Sequence, residues 1–343
     1  MLFQERLRLT NQSLVIAEIA QNHDGSLGMC HAYIDALADV GVHAIKFQTH
    51  IASEESTVDE PFRVKFSQQD ASRYEYWRRM EFTEDQWIGL KTHADEKGLE
   101  FLSTPFSVAA VEMLERIQIP VWKVGSGDTL SGELLTAMLA TKRPMIVSTG
   151  MSAWAEIDEV VGLLRKADTE FCLMQCTSMY PTPFPSVGLN VLDELTQRYG
   201  CRVGLSDHTG SLTPAMAAMA RGYNLIELHV TFDKRMFGPD ISASVTVNEI
   251  GRLMRYSEAL QEMNANPVDK DAMASKLRNQ KELFAKSVTL RVDRAAGHVI
   301  EPSDIVPKKP GSGIPWGDRN QVVGRRLKHQ VASNTLLRRE DLE

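Results

Sequence analysis

The chain has 343 residues, enough for about two domains at roughly 150 residues each, although a single barrel can take up ~250. Its formal charge is −7, with 45 acidic and 38 basic residues mixed along the chain. This argues against nucleic acid or an anionic membrane as the main partner and leaves an anionic substrate dependent on local cations. No apolar stretch approaches the ~20 residues of a membrane span and the start MLFQERLRLT has no signal-peptide core, so a cytoplasmic location is expected.

In chain order, eight short apolar runs each stop at a residue capable of chemistry. LVIAEI ends near Glu18, AIKFQ carries Lys46 and Gln48, LEFLST ends at Thr104, and VWKVGS holds Lys123 and Ser126. MIVST then carries Ser148, FCLMQCT Gln175 and Thr177, VGLSDH Asp207 and His208, and LIELH Glu227 and His229. Continuous apolar strands separated by amphipathic helices imply a parallel sheet covered on both faces, and eight such units predict a (β/α)8 TIM barrel over residues 1–265. The carboxyl ends of the strands would then form the active-site face. Thr83-Glu84-Asp85-Gln86 has capping-box form for a helix that ends at Gly98, and Ser107 and Ser152 stand where the next N-caps are expected. Residues 50–82 are too long and polar for a minimal connection and read as a lid. A polar linker at 266–285 leads to a small C-terminal module at 286–343. There DRAAGHVIEPSDI and QVASNTLLRREDL echo one another, with Gly297 and Asn334 as equivalent left-handed turn residues.

The strand ends suggest two clusters. His208 and His229 follow neighbouring strands and present two nitrogens to a divalent metal that still binds water and substrate oxygens; the other histidines lack this placement, His23 alone being worth watching. Lys46 and Lys123 project to the same mouth as Thr104, Ser126 and Ser148, an environment suited to a phosphate and a carboxylate held together. Glu18 ends the first strand, either as a general acid or base or as an ion-pair partner of Lys46. Cys30, Cys172, Cys176 and Cys201 form no CxxC pair and read as small buried hydrophobes, with Cys172 and Cys176 facing the same side of one strand.

The strings IAEIAQNHDGSL, AIKFQTH, FLSTPFS, KVGSGD, IVSTGM, CTSMYPTP, GLSDHT, ELHVT and GPDIS, in this order, resemble the sialic acid synthase family, and the tail resembles its antifreeze-like (SAF) domain. The resemblance implies a metal-dependent condensation of phosphoenolpyruvate with an N-acylated hexosamine aldehyde to a nine-carbon 2-keto acid and phosphate. It further implies His208 and His229 as ligands of a divalent metal, Mn2+ foremost and Mg2+ or Co2+ as alternatives. Glu18, Lys46 and Lys123 match catalytic positions, with Lys46 and Lys123 also joining Thr104, Ser126, Ser148 and Ser206 in matching phosphoenolpyruvate contacts. Tyr180 and Asp240 match residues near the acceptor sugar.

Two positions depart from the family pattern. Lys309 stands where bacterial members carry an arginine that reaches the sugar from the partner subunit, and lysine lacks the planar fork. Gln68 falls where a sugar-binding asparagine often stands. By the same resemblance the tail is expected to cross to a second subunit in a domain-swapped homodimer. The rival readings are a metal-dependent barrel hydrolase, for which the HxH after strand one is missing, and a non-catalytic carbohydrate-binding protein of polysaccharide assembly.

Overall fold

The computed structural model describes residues 3–9 and 12–343. Two compact units divide the chain, the first running to Asn264 and the second from Ala265 to Glu343.

The first unit is built on eight parallel strands: β1 (Leu14–Glu18), β2 (Ala44–Thr49), β3 (Glu100–Pro105), β4 (Trp122–Val124), β5 (Met145–Ser148), β6 (Phe171–Cys176), β7 (Arg202–Asp207) and β8 (Leu225–Thr231). Their paired order is β3-β2-β1-β8-β7-β6-β5-β4, with β4 packed beside β3, so the sheet nearly closes into the expected barrel. A two-residue strand β9 (Val245–Thr246) lies parallel to the end of β8. The surrounding helices are α1 (Leu27–Asp39), α2 (Glu84–Glu96), α3 (Val108–Ile117), α4 (Gly132–Ala140), α5 (Trp154–Lys166), α6 (Leu189–Tyr199), α7 (Thr213–Ala220) and α8 (Val247–Ala265). None of the described helices is long and apolar enough to cross a membrane.

The helices bury a stripe of the expected period, as with Ile157, Val160, Val161 and Leu164 on α5, against outward strand residues such as Val15, Ala17 and Phe47. Thr83 and Gln86 cap α2 reciprocally and Ser107 accepts from the Ala110 amide at the start of α3. Ser152 is not a cap. Its amide still belongs to a turn on Thr149, so the chain enters α5 one residue later, at Ala153, whose amide donates to the Glu156 carboxylate.

Inward positions follow the two-residue period of a strand. Leu14, Ile16, Ala44, Leu102, Val121, Ile146, Cys172, Met174 and Leu225 form a separate dry cluster closed by Leu7 of the helix Phe3–Arg8. Advancing two residues from this layer towards the carboxyl ends reaches Glu18, Lys46, Thr104, Lys123, Ser148, Cys176 and Glu227. The barrel therefore changes from apolar floor to polar site within one layer of side chains.

Residues 50–82 form the expected cover. Helices Ala52–Glu55 and Arg73–Met80 stand in it, and Arg79 ties it down by donating to the Asp70 carboxylate and to the carbonyl and carboxylate of Asp24 in the loop after β1.

The second unit pairs β10 (Ser287–Leu290) antiparallel with β11 (Ile305–Lys308) over a core that includes Val288, Leu290, Ile300, Leu327 and Leu337. The internal echo is structural. Gly297 and Asn334 both adopt left-handed φ of 83° and 60°. Asp304 and Asp341 each close a short 3-10 turn by accepting from the Glu301 and Arg338 amides, at 2.9 and 2.6 Å.

Candidate active site

A cavity of about 460 Å³ opens at the carboxyl ends of the strands. Its floor holds four buried charges. Glu18 and Lys46 are side by side in the β1–β2 register and form an ion pair. Glu227 Oε1 lies 3.8 Å from Lys46 Nζ and 3.5 Å from Lys123 Nζ and accepts a hydrogen bond from Ser206 Oγ at 3.1 Å. Lys46 donates to Thr104 Oγ1 at 3.2 Å and Lys123 to Ser148 Oγ at 2.7 Å. Ser126, in the turn after β4, accepts from the Gly150 amide at 3.1 Å.

Burial would neutralise each of these ions, and the neighbours decide which resist. Burial lifts Glu18 to about 7 despite Lys46. Glu227 is opposed by the same burial, yet two ammonium groups hold it below the ordinary carboxylate value. Burial pulls Lys123 down, whereas Glu18 and Glu227 keep Lys46 above its usual value against burial. An isolated pair of buried lysines would be untenable; here the two carboxylates stand where an anionic ligand would otherwise have to be.

Beside this floor, His208 and His229 bring their rings to 5.1 Å between centroids. His208 Nδ1 faces the Thr177 carbonyl at 3.1 Å, which places the ring hydrogen there and leaves Nε2 as the lone-pair nitrogen, 3.2 Å from Tyr180 Oη. His229 Nδ1 is buried without a hydrogen-bond partner, and burial with the nearby His208 and Lys46 charges holds its pKa well below the ordinary value, so the ring is neutral. Two imidazoles, one anchored and one with an orphaned nitrogen, fit a divalent cation that keeps further positions for water or substrate. Among the described residues no third His, Cys, Asp or Glu completes a metal cluster. Asp240 is buried on the same side, accepts from Arg63 Nη2 at 3.1 Å, and Arg63 lies 4.3 Å over the Tyr180 ring.

The structure thus gathers Glu18, Lys46, Thr104, Lys123, Ser126, Ser148, Tyr180, Ser206, His208, His229 and Asp240 around one cavity. Gln68 is exposed and does not line it, because the lid turns at Ser67, whose hydroxyl is held by Asp70. Lys309 belongs to the second unit, where its ammonium lies 5.2 Å over Phe284. His23 is buried against Phe82 and accepts from the Gly25 amide, a structural role.

Three cavity residues were given no part in the site by sequence reasoning. Cys176 is inward with Cys172, as expected, but is not merely packing: its sulfur lies 3.5 Å from Ser126 Oγ and 3.7 Å from His208 Nδ1. His50 has the strand-end placement denied to it. Following β2 directly, it is clamped between Trp77 and Phe106 and reaches Glu55, Gln21 and Gln48, the last of which donates to Glu18 at 2.9 Å. Glu227 stands two residues before His229, and that spacing was the signal that it too points inward.

The model of the NeuB family matches residues 33–269, and that of the SAF domain residues 285–343. The chain is 30% identical over 332 residues to human N-acetylneuraminate-9-phosphate synthase, covering 95% of this chain and 91% of the other. It is 29% identical to N,N'-diacetyllegionaminic acid synthase of Campylobacter jejuni, with 95% and 99% covered. Among solved structures, the N-acetylneuraminic acid synthetase of Leptospira borgpetersenii superposes with a TM-score of 0.68 at 26% identity, covering 79% of this chain and 92% of that one.

Proposed function

Because the chain belongs to the NeuB family, whose model covers residues 33–269, we propose that it is a synthase joining phosphoenolpyruvate to an N-acylated hexosamine aldehyde to give a nine-carbon nonulosonic acid and phosphate. The observation that carries this reading is the meeting, in one cavity, of two buried ammonium groups, a ring of hydroxyls and a pair of imidazoles.

Lys46 and Lys123 hold the phosphate and carboxylate of phosphoenolpyruvate, with Thr104, Ser126, Ser148 and Ser206 donating from their hydroxyls. The ligand takes over ammonium hydrogens now directed at Glu18 and Glu227. His208 and His229 would hold a divalent cation, Mn2+ in first place, with Mg2+ or Co2+ as alternatives, and it would supply Lewis-acid polarisation of the aldehyde oxygen. The methylene carbon of the enol forms the new bond to the aldehyde carbon, and water adds to the cationic carbon left behind. Glu18, released from Lys46, takes one proton of that water at Oε2 and passes it to the former aldehyde oxygen, which becomes a hydroxyl. The carbon–oxygen bond to phosphate then breaks as the keto group forms, the second water proton leaving with the phosphate. Tyr180 and Asp240 orient acceptor hydroxyls on the histidine side. Holding both reactants in line contributes up to ~7–11 kcal/mol in well-oriented cases. Lys309 of a second protomer completes the site in a domain-swapped homodimer.

The test is phosphate release from phosphoenolpyruvate with a panel of 2-acetamido and 2,4-diacetamido hexoses. His229→Ala should abolish metal-supported release while far-UV circular dichroism and the melting temperature stay close to those of the unaltered chain. Turnover that survives chelator would overturn the metal assignment, and no release with any sugar would overturn the reaction.

A further inference from the structure

His50 lines the cavity, is 3% exposed and takes no part in the reaction above, yet its ring is held on both faces and at both nitrogens. Trp77 of the lid stacks on it at 4.2 Å between centroids and 19° between planes, and Phe106, just after β3, stacks on it at 4.7 Å and 7°. Trp77 is itself tied by its indole N–H to Glu60 Oε2 at 2.8 Å. Lid and barrel therefore meet through this imidazole.

The two nitrogens give the contact a direction. Nδ1 lies 2.7 Å from Glu55 Oε1, and a carboxylate only accepts, so the ring hydrogen sits on Nδ1 and Nε2 carries the lone pair. Nε2 then accepts from the Gln21 amide nitrogen at 3.1 Å, whose other hydrogen goes to Gln48 Oε1. With its oxygen engaged, Gln48 turns its own NH2 to Glu18 Oε1, at 2.9 Å. A carboxamide turned the other way would set oxygen against oxygen there. Each bond fixes the next, from Glu55 in the lid to Oε1 of Glu18, and Oε2, on Lys46, is left as the oxygen that takes the proton.

We infer, resting on Glu18 as the base of the reaction above, that His50 is a positioning residue: through Gln21 and Gln48 it orients the Glu18 carboxylate only while the lid seats Glu55 and Trp77 on the imidazole. Without Glu55 the ring hydrogen has no fixed place. Carried on Nε2, it meets the amide hydrogen of Gln21 head on, and Gln48 loses the donor that orients it. The phosphoenolpyruvate cradle meets this chain of bonds only at Lys46, so the loss falls on turnover rather than on phosphoenolpyruvate affinity.

The experiment compares the full-length protein with Mn2+ as His50→Phe, which keeps a ring in the stack without its nitrogens, as Glu55→Ala, and as the two combined. Each single change should lower kcat for phosphate release about tenfold while the Kd of phosphoenolpyruvate by titration calorimetry stays within about threefold, and the combined loss should not exceed that of His50→Phe alone, since both cut one chain. Glu55→Gln, which still offers an oxygen to Nδ1, should recover most of the kcat. Unchanged kcat, losses that multiply, a loss confined to KM, or no recovery with Glu55→Gln overturns the inference. Where His50→Phe does not fold, or where the unaltered chain releases no phosphate and the reaction reading itself fails, the Gln48 side-chain amide decides, followed by 1H–15N NMR and assigned with Gln48→Glu. Glu55 Oε1 bonds His50 and its Oε2 has no hydrogen-bond partner, so Gln48 resonances that move in Glu55→Ala and return in Glu55→Gln uphold the coupling; resonances that stay in place, or move alike in both, overturn it.

Discussion

A methyl group at Gly150 would lie 2.6 Å from Ser178 Oγ and 2.8 Å from both Cys176 Sγ and Ser126 Oγ. The residue is small because three polar tips converge on it, and its amide donates to Ser126 Oγ. Gly150→Ala should therefore push Ser126 and Cys176 aside. The expected outcome is a rise of about tenfold or more in KM for phosphoenolpyruvate in steady-state kinetics, with a stability loss within the ~1–3 kcal/mol typical of overpacking. Side-chain direction at this scale was legible, because a strand alternates: once His229 is inward, Glu227 must be too. What alternation does not reveal is height. Cys172 and Cys176 share a face, but one lies in the dry layer and the other in the cavity, because the stagger of the closed sheet sets where the floor ends.

Local rules sufficed for most elements. The capping patterns at Thr83 and Ser107 and the left-handed turns at Gly297 and Asn334 depend on neighbours only a few residues away. Thr83→Ala should lower stability by about 1 kcal/mol in urea unfolding, since it strips the Gln86 amide of its acceptor. Asp304 gives the tail a pH dependence. Burial would raise its carboxyl, but bonds from His298, the Glu301 amide and Arg294 overcome this and hold it at about 2. Below the ~3.9 of an unfolded aspartate, this value means that the carboxylate stabilises the unit fully above pH 4. The stabilisation, roughly 2 kcal/mol, is lost as pH falls through 2. Hydrogen exchange of tail amides across that window should show it, and Asp304→Asn should flatten the profile.

For the whole molecule, completion of one protomer's site by another predicts complementation. Glu18→Gln and Lys309→Ala chains, each impaired alone, should recover activity when mixed under subunit exchange, because each mixed dimer holds one intact site. About a quarter of all sites would then be intact; activity no greater than the sum of the two parents would argue against the swap. The residues by themselves determined that eight strands alternate with helices, that the chemistry sits at their carboxyl ends, and which side chains turn inward, because each depends on periodicity and on neighbours in the chain. Only the tertiary structure decided that Glu227 lies between both lysines, that His50 links the lid to Glu18 through Gln48 and that Gln68 lies outside the cavity. Those relations join residues tens to hundreds of positions apart, and their distances follow from the closure and stagger of the barrel and the path of the lid over it, for which a linear pattern carries no coordinate.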